Sequence, residues 1–426
     1  MPEMKDSGIE WIGAVPINWG IFHYKYIVAA KVDNRGRTPE IDENDIGTPI
    51  IELDAIGDKY PNVMKASKFI SKASYKKYIR NDLEVGDVLF GTVGSVGKSS
   101  IVPKGFNYCI AQNIVGYRFN GLQDSLFWYF YFQSEAFKQM YMQFNKGNIQ
   151  SSIKISDMEQ GSVCVPPLEE QKRISNFLDI KCSEIDSLVA DIQSEIETLE
   201  EYKKSVITEA VTKGLNSDVK MKDSGIEWAA KVPEHWKIMA NKYVMKKIKE
   251  ISPKYSGEDI LSLTMNGVIV RDLDAGGKMP ATFNGYQRVY AGNLLMCLFD
   301  YDVTPRCIGL VKNNGLTSPA YSQFVMKNGN SAKYYYYYYL MIDNTKELLH
   351  LAKNLRHSFT EEQLGAINTP VPPIEEQVDI ANYLDVKIEQ IEQTIAMKQE
   401  QLAILEEYKK SVIYEYVTGK KEVPLS

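Results

Sequence analysis

Residues that build reactive centres are scarce in this chain. Histidine occurs four times, at His23, His235, His350 and His357, and cysteine five times, at Cys109, Cys164, Cys182, Cys297 and Cys307. The cysteines are odd in number and include no CxxC pair, which argues against a disulfide framework or a zinc ribbon and leaves buried reduced thiols as the expectation. No HExxH occurs, no Cys/His cluster has metal spacing, and the histidines suggest no triad. No apolar run approaches the roughly 18 residues of a membrane helix. The opening MPEMKDSGIE lacks the charged and apolar regions of a signal peptide. The expectation is a cytoplasmic protein with no membrane segment, no metal and no catalytic residue.

An excess of positive charge is also missing. The net charge of -6 argues against a nucleic-acid binder until it is divided along the chain. Residues 20–160 and 237–366 carry +2 and +5, whereas 167–214 and 371–420 carry -5 each. Two mildly basic bodies thus alternate with two acidic segments, a pattern suited to modules that touch polyanions joined to elements that touch something else. Solvated glutamate-rich helices explain the acidic half equally well.

What is abundant is internal repetition. LEEYKKSVI stands at 199–207 and again at 405–413, a displacement of 206; MKDSGIEW stands at 4–11 and 221–228, a displacement of 217. A tandem duplication with a net loss of eleven residues in the second copy accounts for both offsets. The box extends to a second tryptophan, MKDSGIEWIGAVPINW against MKDSGIEWAAKVPEHW. The last 42 residues of the bodies, 126–167 and 332–373, align without a gap, which places the length difference upstream of them. Each copy reads as box, variable body, then VPPLEEQ (165–171) or VPPIEEQ (371–377) opening a long segment.

Those long segments predict helices. Proline suits a helix start because its missing N–H is not needed there, and Glu169, Glu170, Glu375 and Glu376 suit the positive end of the dipole. Apolar residues follow heptad-like spacing: Leu178, Ile185, Leu188, Ile192, Ile196, Leu199, Tyr202 and Val206, then Leu384, Ile388, Ile391, Ile395, Leu402, Leu405, Tyr408 and Val412. A helix of roughly 40 residues with one apolar seam needs a partner, and its own duplicate is the nearest. The expectation is an antiparallel intramolecular coiled coil with one body at each end, so that both copies of LEEYKKSVI pack the same seam.

The bodies mix strand-like stretches, such as DVLFGTVGSVGKSSIV, with aromatic helical ones such as the run Tyr334 to Tyr339, expected in a core. TVGSVGKS (92–99) resembles a phosphate loop, but Thr92 holds the place where that loop needs its first glycine, so a glycine-rich hairpin is expected. The two VPP sites share the Pro-Pro pair of the amino-methyltransferase motif but have neither its amide or acid nor its aromatic. The polar turn ahead of VPP is different: Asn148, Gln150 and Ser151 align with Asn354, Arg356 and His357, side chains able to reach base edges or phosphates.

The box, the variable body, VPPLEEQ or VPPIEEQ, the helix with LEEYKKSVI, and the repetition of all four over essentially the whole chain together resemble the specificity subunit of type I restriction-modification systems. The mixed strand and helix patterns predict α+β bodies, and the resemblance implies that these are target recognition domains, at 1–164 and 215–370, each followed by a conserved spacer helix, at 165–214 and at 371–426 with the C-terminal tail. It implies that each recognition domain reads half of a bipartite asymmetric site in double-stranded DNA, with the spacer helices as a ruler. Two modification subunits would dock on those helices, and restriction or translocase subunits are possible further partners. S-adenosylmethionine, ATP and Mg would then belong to the partners, with no cofactor in this chain. The resemblance locates DNA contacts only at the hairpin and at the turn before VPP. From those, Ser95, Lys98, Asn148, Gln150 and Ser151 are the candidates in the first domain; Arg306, Arg356, His357 and Ser358, with Arg288 and Lys353 as further cations, are those in the second. NLRHS (354–358) in place of NIQSS (148–152) suggests that the two domains read different half-sites. The rival reading is a non-catalytic coiled-coil adaptor that binds proteins, which keeps the helices but discards the basic bodies.

Overall fold

The computed structural model describes residues 3–35, 41, 47–94, 96–143, 154–275, 280–352 and 357–424. The chain divides into two compact units, one formed by Met1–Gln193 with Glu400–Ser426, the other by Ser194–Gln399. Each unit contains one body and a part of each long helix.

In the first unit the elements are β1 (Met4–Asp6), β2 (Ala14–Pro16), β3 (Gly20–His23), β4 (Val28–Asp33), β5 (Thr48–Ile51), β6 (Phe69–Ile70), α1 (Lys72–Tyr78), β7 (Val88–Gly91), β8 (Ser99–Ile101), β9 (Cys109–Ile110), β10 (Ile114–Phe119), α2 (Ser125–Gln133), α3 (Glu135–Met142), α4 (Ile155–Gln160), β11 (Ser162–Val165) and the start of α5 (Leu168–Lys213). The main sheet runs β4-β10-β7-β8, antiparallel throughout, and β6-β5-β9 forms a smaller sheet in which β5 and β9 are parallel. Successive side chains of a strand face opposite sides. Val88 and Phe90 of β7 therefore enter an aromatic core with α2, while Leu89 enters a second core with Val32, Ile51 and Ile110. That two-sided burial is why VLFG is apolar without alternation. Residues Phe127 to Phe132 of α2 are all buried, as expected of a helix that is apolar all round.

The second unit repeats the plan: β12 (Met221–Asp223), β13 (Lys231–Pro233), β14 (Lys237–Ala240), α6 (Asn241–Val244), β15 (Met245–Ile248), β16 (Leu261–Thr264), β17 (Gly267–Val270), β18 (Gln287–Val289), β19 (Leu294–Met296), β20 (Ile308–Leu310), β21 (Gly315–Thr317), β22 (Ser322–Met326), α7 (Ala332–Thr345), α8 (Glu361–Ala366), β23 (Asn368–Val371) and α9 (Ile374–Val417). Its main sheet, β15-β22-β19-β20, has the strand order of its counterpart. The tyrosine run lies in α7, as core. Four hydroxyls of the run are hydrogen-bonded: Tyr334 donates to the Val211 carbonyl (3.0 Å), Tyr335 to that of Pro370 (3.1 Å) and Tyr337 to Asp385 (2.7 Å), while Tyr338 accepts from the Trp228 indole (3.0 Å); the buried Tyr339 hydroxyl has no partner among the described residues. Burial pushes these phenols up, Tyr338 to about 12, so they stay protonated.

The helix prediction holds: α5 spans 46 residues and α9 spans 44, about 69 and 66 Å at 1.5 Å per residue. They pack antiparallel within each unit. In the first unit the Phe177 and Tyr416 rings lie 4.5 Å apart and Lys409 binds Asp186 at 2.6 Å. In the second, Lys203 faces Glu392 at 3.7 Å and Lys398 binds Glu195. The seam differs from the heptad stripe in one respect: Leu188, Tyr202 and Tyr408 are exposed. A straight helix drifts by roughly 20° per heptad, so one 3.5-residue stripe cannot face a partner over this length. Toward its start α5 instead buries Ile174, Leu178 and Cys182 against the body and against Val412, Ile413 and Val417 of α9.

The duplicated motifs meet at the helix ends. Pro167 and Pro373 precede the first helical residue, and their carbonyls accept the N–H of Gln171 (2.9 Å) and Gln377 (3.0 Å). Both glutamine side chains are fully buried and turn back to the preceding prolines, Pro166 at 2.8 Å and Pro372 at 2.9 Å. Glu170 and Glu376 each accept the indole N–H of the box tryptophan, Trp19 or Trp236, at 3.0 Å. Gly214, just past α5, and Gly419, just past α9, take left-handed φ of 75° and 69°. A Cβ there would press on the same two indoles, at 3.3 and 3.1 Å, so these glycines are required by both backbone and space.

Candidate nucleic-acid interface

In each body one end of the main sheet gathers the same connections. The ends of β4 and β7 and the starts of β8 and β10 share it in the first unit; the ends of β15 and β19 and the starts of β20 and β22 share it in the second. The β7–β8 connection is TVGSVGK. Thr92 fixes its base, giving both its N–H (2.9 Å) and its hydroxyl (3.1 Å) to the Asn113 carbonyl. A strand, not a helix, follows the glycines, so no helix dipole is aimed at the loop as a nucleotide phosphate site requires. Lys98 stands exposed at the end of this loop, its stem beside Gly57. Tyr141 near the end of α3 approaches Gly97. Ser95, Asn148, Gln150 and Ser151 lie outside the described residues.

The corresponding β19–β20 connection of the second unit runs from Cys297 to Cys307. The turn before α8 packs against it: the His357 carbonyl accepts the Tyr301 N–H (3.2 Å) and the Leu298 carbonyl accepts the Phe359 N–H (3.0 Å). His357 adopts a left-handed φ of 39°, and its Nδ1 lies 2.7 Å from Asp302. Desolvation alone would raise the Asp302 carboxyl, but the hydrogen bond from His357 and those from backbone N–H groups outweigh it and hold the group below its ordinary range. Ser358 follows, half-buried. Arg306 closes the same connection. Its side chain is only 17% exposed, 3.9 Å from Asp343, and its Nε has no hydrogen-bond partner among the described residues. Asp343 is already engaged by Lys346 (2.7 Å) and by the Cys307 N–H (2.9 Å). Arg306, Lys312 and Lys333 line a concavity of about 960 Å³ within this unit.

His357 and Ser358 thus sit on the β19–β20 connection that Arg306 closes, while the Arg306 side chain turns toward Asp343 and the concavity of Lys312 and Lys333; Lys98 occupies the equivalent connection of the other body. Arg288 sits elsewhere, on β18, where it cross-ties Glu250 (3.5 Å), Glu258 (3.3 Å) and Ser252 (3.2 Å). Lys353 and Arg356 lie outside the described residues. The cationic helix α1 and the amide of Asn113 were not singled out from sequence; the acid-free stretch KASYKKYIR was the available signal. All five cysteines are buried free thiols. Among the described residues, no group of three or more His, Cys, Asp or Glu is placed to hold a metal ion, and no helix is long and apolar enough to cross a membrane.

Comparison with known proteins bears on this arrangement. The chain matches the family described as the type I restriction modification DNA specificity domain over residues 16–198 and 307–403, more than half of its length. A Methanocaldococcus jannaschii protein named as the MjaX type I restriction enzyme specificity subunit is 25% identical over 434 residues, covering 97% of this chain and 96% of that protein. The MjaVIII specificity subunit of the same organism is 25% identical over 381 residues, covering 84% and 83%. Among solved structures, a chain from a type I R-M system studied for complex assembly and conformational transition aligns with a TM-score of 0.72 at 14% identity, over 96% of this chain and 99% of that one. The HsdS subunit from Thermoanaerobacter tengcongensis aligns with a TM-score of 0.51 at 15% identity, over 96% and 98%; at such identities the likeness is one of fold. Duplicated bodies, paired long helices and the matched sequence agree: the chain belongs to the family of type I restriction-modification DNA specificity subunits.

Proposed function

We propose that this chain is the non-catalytic subunit that reads DNA for a type I restriction-modification complex, each body reading one half of a bipartite asymmetric site, and that α5 and α9 dock two copies of one modification subunit. The family supports the DNA role. The two-copy docking is carried by a duplicated exposed pair. Ile180 and Val386, 206 residues apart, are 65% and 57% exposed, and Tyr202 and Tyr408, also 206 apart, are each 47% exposed. Lys387, next to Val386, lies 5.6 Å from the Tyr202 ring. At these duplicated positions each unit therefore presents an aliphatic and a tyrosine side chain on helix surface. Large apolar groups left in water beside charges suit a docking contact, and tyrosine is a common anchor of such contacts.

The chemistry belongs to the partners in this reading. S-adenosylmethionine would bind the modification subunits; ATP and Mg would serve restriction subunits where these accompany the complex. This chain supplies position. Differences between the two bodies in the β-hairpin connections and in the turn before VPP fit two different half-sites.

The test is single-molecule methylome sequencing of a methylation-free bacterial host that expresses the methyltransferase partner, with and without this chain. A new two-part adenine-methylated motif that requires the chain is the expected result. Unchanged methylation, although the two proteins co-purify, would leave a protein-binding adaptor in its place.

A further inference from the structure

Helix α1 is charged against its own interest. It carries Lys72, Lys76 and Lys77, Arg80 follows it, and no acidic residue stands between Lys72 and Arg80. Lysines in a last turn complement the helix dipole, which accounts for Lys76 and Lys77. Lys72 has no such account. It occupies the first turn, where the dipole disfavours a cation, and it stands four residues before Lys76, where like charges repel. Lys72, Lys76 and Arg80 are all exposed, and none has a carboxylate within ion-pair distance among the described residues. Other cations of this body are spent internally: Lys59 on Asp179, Lys68 on Glu52, Arg118 on Asp87 and Glu84.

The surroundings of α1 indicate what its charge is for. Tyr78 and Ile79, at the end of the helix, line a concavity of about 440 Å³ whose other wall includes Asn34, Gln112 and Asn113. The Asn113 side-chain oxygen is buried and accepts no hydrogen bond among the described residues. The carbonyl of the same residue anchors the β7–β8 connection through Thr92. The cationic segment thus reaches, through Tyr78 and Ile79, a concavity that it shares with these amides and with the Lys68–Glu52 pair, and that adjoins the candidate interface. Duplex recognition divides its labour in this way, with cations on phosphates and amides on base edges. An acidic protein surface would need the cations but not the amides.

We propose that α1 is a phosphate-contact surface for duplex DNA, with Lys72, Lys76 and Arg80 as the contacting groups. This rests on the DNA-reading assignment above and locates part of it. Among the described residues, no helix occupies the stretch between β15 and β19, so the contact belongs to the first body alone.

Two variants of the full chain, assembled with its methyltransferase partner, test the proposal. In the triple variant K72Q/K76Q/R80Q, the slope of log affinity against log salt concentration should become shallower by about two to three, at about 0.9 for each phosphate that is no longer neutralised. The methylated motif should stay the same. In K72E the unliganded chain should melt no lower than wild type, because an acid at this place suits the dipole and pairs with Lys76, while DNA binding weakens. An unchanged salt slope in the triple variant, with the wild-type complex still methylating its two-part motif, would overturn the α1 contact and leave the DNA-reading assignment standing. So would loss of the protein partner with DNA binding intact. Absence of any site-specific methylation by the wild-type complex would overturn the assignment itself and the α1 contact with it.

Discussion

Trp19 and Trp236 are fully buried, and each gives its indole N–H to a glutamate at the start of a long helix. The polar neighbours of the pair are duplicated too: Asn18 binds Glu170 at 3.0 Å, and His235 binds Glu376 at 2.9 Å. Trp19→Phe should keep most of the packing and leave a partly buried carboxylate oxygen without its donor, at a cost of about 1–3 kcal/mol. Urea unfolding of the full chain measures this, and Trp236→Phe should match it. Readout of the second half-site belongs to the same scale. His357→Ala removes an imidazole held at the turn by Asp302. If that ring contacts a base edge, competition binding should show a loss of about 1–3 kcal/mol confined to the second half-site. A uniform loss on all sequences would make it a phosphate contact. Sequence showed less here than at larger scales. The glutamates were legible as helix-start acids, but their acceptance of an indole proton from 151 and 140 residues earlier was not. Arg288 looked like a free cation because Glu250 and Glu258, which neutralise it, meet it only through the fold.

Helices α5 and α9 were the most legible elements, since Pro-Pro, two acids and a recurring apolar pattern all point to the same start and the same state. Their surfaces were less so. The heptad stripe placed Tyr202 and Tyr408 inside the seam, yet both stand outside it, because the helix ends are shared with the bodies and the apolar face rotates along so long a helix. Each of the two LEEYKKSVI segments leaves the same tyrosine half-exposed, and under the proposed docking that tyrosine would be a further reason, besides packing, for their identity. Tyr202→Ala and Tyr408→Ala should each weaken one of two partner sites by about 2 kcal/mol if the ring is an interface anchor. Isothermal titration with the modification subunit should show two tight sites in wild type, one tight and one weak in either single variant, and two weak in the double variant. Equal weakening of both sites by one substitution would mean that the two patches do not serve separate copies.

At the scale of the whole chain, the duplication explains why one net charge misleads. Basic residues are spread almost evenly, but acidic ones are denser on the two helices, so the total of -6 describes neither helices nor bodies. The same duplication gives each unit its own body, its own tryptophan anchor and a share of both helices, all on one side of the divisions at Gln193/Ser194 and Gln399/Glu400. Those two places are where length can be added without entering either body. Seven residues of matching helical sequence, inserted at both, add about 10 Å to each helix at 1.5 Å per residue. If the helices set the gap between half-sites, the methylated motif should keep both halves and lengthen its unread centre by about three base pairs, at about 3.4 Å each. Methylome sequencing reads both quantities in one experiment. Unaltered spacing with full methylation would show that the gap is set elsewhere, and altered half-sites would show that the helices do more than measure.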